Sequence, residues 1–147
     1  MQGPGDQGSG RTGARGPTGA ALLFLGLLLV APGLALPRVT PEAFLPLLLG
    51  GLATVWGTTV LLYWADKRAA QSGAWRTPEL LLHTCELLGG WPAAFLAQRV
   101  WRHKTAKPGY QATFWLIVAA HQFLALDVLL QGRISRSLWT EIRQLLF

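Results

Sequence analysis

Three ionisable residues lie at helical spacing inside an otherwise apolar stretch of this sequence. Glu79, His83 and Glu86 stand at positions i, i+4 and i+7, so a helix would carry all three on one face. Acids within a membrane segment are costly and mark functional candidates, and this set could form half of a metal site or handle a proton. The alternative is structural: Glu79 would lie at the positive end of the helix dipole, His83 near the interface, and Glu86 beside a base inside the bundle.

The other apolar segments offer few partners for a metal. They contribute only Asp66, His121 and Asp127 as further ligands, whereas a metal site in a helix bundle draws several ligands from facing helices. The sequence also contains no nucleophile elbow, phosphate-binding loop or zinc-protease motif. We therefore assign no metal, no cofactor and no catalytic residue, which favours a protein that is not an enzyme.

A basic connector follows the acidic stretch. Arg102, His103 and Lys104 are adjacent, and Lys107 comes three residues later. Together these side chains could bind phosphate, either in a lipid headgroup or in a nucleotide. The alternative is an ordinary basic flank beside a membrane segment.

We expect these residues and their charged neighbours to form a charge-paired cluster at one or both membrane faces. The candidate polar cluster consists of Asp66, Lys67, Arg76, Glu79, His83, Glu86, Arg102, His103, Lys104 and Lys107.

The composition of the chain is typical of a membrane protein, so membrane helices must position this cluster. The chain has 147 residues, of which 51% are hydrophobic and only 14% are charged, against roughly 25% charged in ordinary soluble domains. The net charge of +6 comes from short basic clusters, a distribution that favours membrane flanks over a nucleic-acid surface. The single cysteine, Cys85, excludes an internal disulfide framework.

Four apolar segments are long enough to be considered as membrane spans. The fold class that we predict is therefore all-α: an integral membrane protein with a four-helix transmembrane bundle and an interrupted third helix. Tyr63 and Trp64, near the end of the second segment, are expected in an interfacial aromatic belt. The transmembrane domain covers residues 19–130, with spans at about 19–36, 43–65, 79–101 and 110–130.

Both ends of the chain differ from the spans. Residues 1–18 are rich in glycine and too polar to bury a core, so we expect a disordered tail. A cleaved signal peptide is the alternative for the first apolar segment, which we expect to be retained as a span. Residues 131–147 place apolar side chains at helical spacing between arginines, which is typical of an amphipathic interfacial helix.

The third segment has two possible paths. Gly89, Gly90 and Pro92 interrupt it, so it either crosses the membrane with ionisable groups inside or enters and returns. If it crosses, the basic residues divide eight against five between the two sides, and if it returns they divide nine against four. We favour the crossing, because re-entrant segments are less common.

An ordered set of short motifs carries a family resemblance: Asp66-Lys67, Arg76-Thr77-Pro78-Glu79, Gly89-Gly90 and Arg102-His103-Lys104-Thr105. From about Val60 to Trp115 the sequence closely resembles the domain of unknown function 1294 family. The resemblance implies a small multi-pass protein of the bacterial cytoplasmic (inner) membrane and supplies no reaction. Some members carry a cold-shock domain for nucleic acids, which residues 1–18 cannot form, so we expect no nucleic-acid binding.

Two functions follow from these residues. The first is a non-enzymatic accessory or stress-related membrane factor whose basic connector binds anionic lipid headgroups or a protein partner, which could be a second copy. The second is an intramembrane enzyme or ion-handling protein that depends on a metal or a proton and uses the face of Glu79, His83 and Glu86 together with His103.

Overall fold

The computed structural model describes residues 17–146, and all of its regular elements are helical. The predicted all-α class is therefore confirmed. The prediction of a disordered tail over residues 1–18 lies almost wholly outside the described part; Thr18 caps the first helix, its side chain accepting the N–H of Ala21. The helices are α1 (Gly19–Val39), α2 (Leu45–Ser72), α3 (Glu79–Cys85), α4 (Trp91–Trp101), α5 (Pro108–Leu129) and α6 (Arg133–Leu146).

Four helical segments are long and apolar enough to cross a membrane, which makes this a membrane protein. In the third, 56% of the residues in its apolar window are buried inside the protein, against 6–22% in the other three. The third segment is therefore enclosed by the rest of the protein to a greater extent than the other three. The segments are Gly19–Val39, Glu42–Ser72, Glu79–Trp101 and Pro108–Leu129.

The third segment reverses direction at its centre. A π-helical turn, Glu86–Gly90, joins α3 to α4, and Gly89 within it has φ +97°, a conformation that strongly favours glycine. The predicted interruption of the third helix is therefore confirmed, and its physical form is a helical hairpin made of residues 79–101.

Contacts with α2 show how far the hairpin extends. Both of its ends lie beside Asp66, which accepts the N–H of Thr77 (3.0 Å) and contacts His103 Nε2 (2.6 Å). Its tip lies beside Trp56, whose Nε1–H donates to the carbonyl of Gly89 (2.9 Å). Ten residues of α2 separate these levels, about 15 Å at 1.5 Å per residue, or half of a ~30 Å hydrocarbon core.

Residues 79–101 therefore enter and leave on the same side. This is the re-entrant path and not the crossing that the sequence favoured, because the acids before the hairpin and the bases after it pair with one another. The basic face is defined here as the side on which α2 ends and α5 begins; the other side is the opposite face. Three helices, α1, α2 and α5, connect the two faces.

Helix α1 runs parallel to α5. The side chain of Gln122 donates to the carbonyl of Leu28 (2.9 Å), and Arg38 donates to the carbonyl of Leu129 (3.0 Å). Because both helices run from the basic face to the opposite face, α6 follows α5 on the opposite face.

Small residues allow the hairpin to pack closely against α2. A Cβ on Gly90 would collide with Thr59 Oγ1 and with the carbonyl oxygen of Cys85. Ala94 and Ala97 of α4 are also buried, in keeping with the use of small residues where membrane helices approach closely.

Candidate functional site

The first part of the site is an inner polar group at the centre of the hairpin. Glu86 is fully buried. Its Oε1 accepts hydrogen bonds from the hydroxyls of Tyr63 (2.5 Å) and Tyr110 (2.8 Å), and its Oε2 lies 2.6 Å from Nδ1 of His83. The carboxyl group is thus bound on both oxygens by uncharged or titratable partners.

Four helices position the inner polar group. Helix α3 supplies His83, three residues before Glu86, so that the two side chains meet on one helix face. Tyr63 projects from α2 and Tyr110 from α5, and their hydroxyls lie 2.5 Å apart. Gln98 of α4 donates from Nε2 to the hydroxyl of Tyr63 (3.0 Å), so α2, α3, α4 and α5 each contribute one polar side chain around Glu86.

His83 connects this buried group with its surroundings. Its ring stacks on Tyr110 with 4.2 Å between ring centroids, and its side chain remains 15% exposed while that of Glu86 is 0% exposed. The second ring nitrogen of His83 makes no hydrogen bond within residues 17–146. The imidazole is therefore the accessible member of the pair.

The second part of the site is an outer charged group where the hairpin begins and ends. Buried Asp66 contacts His103 Nε2 at 2.6 Å and Lys104 Nζ at 3.1 Å, and it also accepts the N–H of Thr77. Glu79 contacts Lys104 at 3.3 Å and Lys107 at 2.8 Å. These pairs join the end of α2 to both ends of the hairpin.

Tyr110 links the two groups. Its hydroxyl contacts Glu86 of the inner polar group, while Lys104 of the outer charged group lies with Nζ 4.7 Å from the centre of its ring. An ammonium over an aromatic face is a favourable cation–π contact. The outer cation thus lies close to the buried acid without pairing with it directly.

The candidate polar cluster from the sequence divides between these groups. Asp66, Glu79, His103, Lys104 and Lys107 form the outer charged group. His83 and Glu86 belong to the inner polar group.

The other three members of that cluster lie apart. Lys67, Arg76 and Arg102 form no ion pair within the described chain, and Arg76 and Arg102 are exposed. They present free positive charge at the basic face.

Sequence reasoning missed four polar members of the site: Tyr63, Gln98, Tyr110 and Gln111. Tyr63 was expected in an interfacial aromatic belt, but it is fully buried with its hydroxyl on Glu86; its neighbour Trp64 is exposed. Gln111 donates from Nε2 to Gln98 Oε1 (2.7 Å). The available signal was that each places a hydrogen-bonding group inside an apolar segment, where it needs a partner.

The donor set suits a proton better than a metal. No group of three or more metal-binding side chains occurs within residues 17–146. The inner polar group offers one carboxylate and one imidazole, fewer than the three or four protein ligands of a zinc site.

The fold and the site define a multi-pass α-helical membrane protein with a re-entrant hairpin. Residues 57–110 match the family described as Protein of unknown function (DUF1294), which confirms the resemblance seen in the sequence. The matched segment runs from the middle of α2 to Tyr110 and so contains the hairpin and the outer charged group. No curated protein and no solved structure matches the chain.

Proposed function

We propose that the protein binds and releases a proton at the pair formed by Glu86 and His83, in the half of the membrane next to the basic face. The observation that carries this proposal is a fully buried carboxyl group inside the hairpin, with one oxygen 2.6 Å from an imidazole nitrogen. Ionisable groups inside a membrane segment are functional candidates by default.

The surrounding groups support both states of the pair. Without the extra proton, the pair is a carboxylate and a neutral imidazole with one negative charge. Donors on Tyr63, Tyr110 and His83 stabilise that charge. With the proton the pair is neutral overall, as an imidazolium carboxylate or as two neutral groups. No lysine or arginine of the described chain pairs with Glu86 and fixes it in one state.

The proton's route is from the basic face. The hairpin opens on that side, and His83 lies between exposed Glu79 and buried Glu86 along α3. The tip of the hairpin is apolar instead: Leu87 and Leu88 are exposed there, and Trp56 bonds to the carbonyl of Gly89, so the tip offers a proton no polar path.

An infrared titration of the full chain in lipid nanodiscs tests this proposal. Between about pH 4 and pH 9, where carboxyl and imidazole groups titrate, we expect carboxyl or imidazolium bands that disappear in both Glu86→Gln and His83→Gln. Glu42→Gln, at an exposed acid before α2, is the matched control and should retain them. Identical pH-difference spectra in wild type and both site variants would contradict the proposal.

Binding of anionic headgroups or of a partner by the basic connector stays a prediction. Lys104 and Lys107 are engaged by Asp66 and Glu79, so in this protein such binding would depend on Arg102 and on Arg76, both of which are exposed. An accessory role would follow from that binding, and charge reversal at Arg102 is its direct test.

We also propose that the basic face is cytoplasmic, in a bacterial inner membrane. The support is the distribution of charge: the described basic residues divide seven to four between the basic face and the opposite face, and positive residues favour the cytoplasmic side. The bacterial location rests on the family resemblance alone.

A further inference from the structure

A cavity lies on the opposite face, where the end of α1 meets the turn between α5 and α6. Its volume is about 500 Å³. It is far from the inner polar group, because α1 and α5 must cross the membrane to reach it. It is lined by Arg38, Val39, Asp127, Val128, Gln131 and Gly132.

Two guanidinium groups lie at this corner. Arg38 donates to the carbonyl of Leu129 (3.0 Å), and Arg136 donates from Nη2 to the carbonyl of Gln131 (2.5 Å). The two carbonyls are two residues apart in the same turn, so both cations are held beside it. A guanidinium has five N–H donors in a planar fork that fits phosphate. Arg38 and Arg136 each donate one of these hydrogen bonds to a carbonyl of the turn.

The acid at the corner is already engaged. Asp127 Oδ1 accepts the backbone N–H of Ser135 in the first turn of α6 (3.0 Å). The N–H of Gly132, which has φ +73°, bonds to the carbonyl of Asp127 (2.7 Å). These bonds fix the direction of α6 as it leaves α5.

Helix α6 adds an exposed apolar face next to this cavity. Leu138, Trp139, Ile142 and Leu145 lie at helical spacing, and Trp139 and Leu145 are 68% and 84% exposed. Arg136 lies near one edge of this face. Since α6 begins a few residues after the membrane-crossing α5 ends, its first turn lies near the level of the lipid headgroups, and a strongly amphipathic helix there favours lying along the membrane surface.

We propose that this corner binds an anionic phospholipid, with the headgroup phosphate between Arg38 and Arg136 and the acyl chains along the apolar face of α6. The ligand must be amphipathic, because the two guanidiniums adjoin an apolar strip at the membrane surface. A negatively charged lipid fits the corner better than a zwitterionic one, because two guanidiniums and the single carboxylate of Asp127, which interacts electrostatically with Arg136, leave a net positive charge there. This site is independent of the proton-binding pair and of the basic connector.

Lipid selectivity of the full-length protein in bilayers tests the proposal. Spin-labelled phosphatidylglycerol and phosphatidylcholine are compared by electron spin resonance, and we expect a preference for phosphatidylglycerol. Each basic side chain near a membrane surface contributes roughly fivefold in binding to anionic lipid. Arg38→Gln with Arg136→Gln should therefore remove most of the preference, whereas Arg68→Gln on the basic face, which keeps both corner guanidiniums, should leave most of it.

Three outcomes would overturn the proposal. One is equal selectivity in wild type and the double variant while both unfold at the same temperature. Another is an equal loss in the Arg68→Gln control, which would indicate a general charge effect. The third is loss of the preference on adding soluble glycerol phosphate, which would indicate a site for free phosphate rather than a lipid. If the double variant does not fold, the single variant Arg38→Gln is measured in its place.

Discussion

Tyr110 shows how much one side chain contributes to this site. Its hydroxyl binds Glu86, its ring stacks against His83, and Lys104 lies over the same ring. A phenol suits this position because it offers one hydrogen-bond donor on an apolar body. A movement of Lys104 in the outer charged group would therefore shift the ring of Tyr110 and change its hydrogen bond to Glu86.

The partner phenol gives a prediction at the scale of residues. Tyr63→Phe keeps the ring but removes a donor to Glu86 and an acceptor for Gln98. We expect the free energy of unfolding to fall by about 1.5–3 kcal/mol, as for other hydrogen bonds to charged groups. Unfolding in mixed micelles measures this change. Trp64→Phe, at the exposed neighbour, is the control and should change stability little; equal effects would exclude a special role for the Tyr63 hydroxyl.

The hairpin is the element on which the site depends, and its tightest point is Gly90. Gly90→Ala would place a methyl group against Thr59 and the carbonyl of Cys85, and overpacking of this kind costs about 1–3 kcal/mol. We expect a lower thermal stability and a weaker pH response at Glu86. Gly57→Ala is the control. Gly57 lies in α2 and has open space around a Cβ, so this substitution should leave the thermal stability nearly unchanged. Similar losses in both variants would argue against close packing at the tip.

The path of the hairpin gives a prediction at the scale of the whole molecule. In a chain without Cys85, single cysteines at Arg68 and Arg102 should react with a membrane-impermeant maleimide from the same side, because α2 ends and the hairpin returns on the basic face. A cysteine at Gln144, in α6, should react from the other side. Labelling of Arg68→Cys and Gln144→Cys from one side, with Arg102→Cys labelled from the other, would show that residues 79–101 cross the membrane.

The sequence was sufficient for the helical class and the apolar segments, and seven of its ten candidate cluster residues lie in the two polar groups, but it did not give the direction of the third segment. Gly89 and Gly90 predicted an interruption, yet helical periodicity is the same whether a chain continues or turns back. The pairing of Glu79 with Lys107 decides that question, and it depends on tertiary contact. Tyr63 was misplaced because a tyrosine near the end of a span is typical of the interface.

A hairpin of half depth also gives the protein unequal width across the bilayer. Five helices, α1 to α5, occupy the leaflet of the basic face, while only α1, α2 and α5 continue through the other. With a helix diameter of about 10 Å, the difference is roughly 160 Å² of cross-section. The protein is therefore a wedge, and lipid chains of the narrower leaflet must occupy the space beneath the hairpin tip.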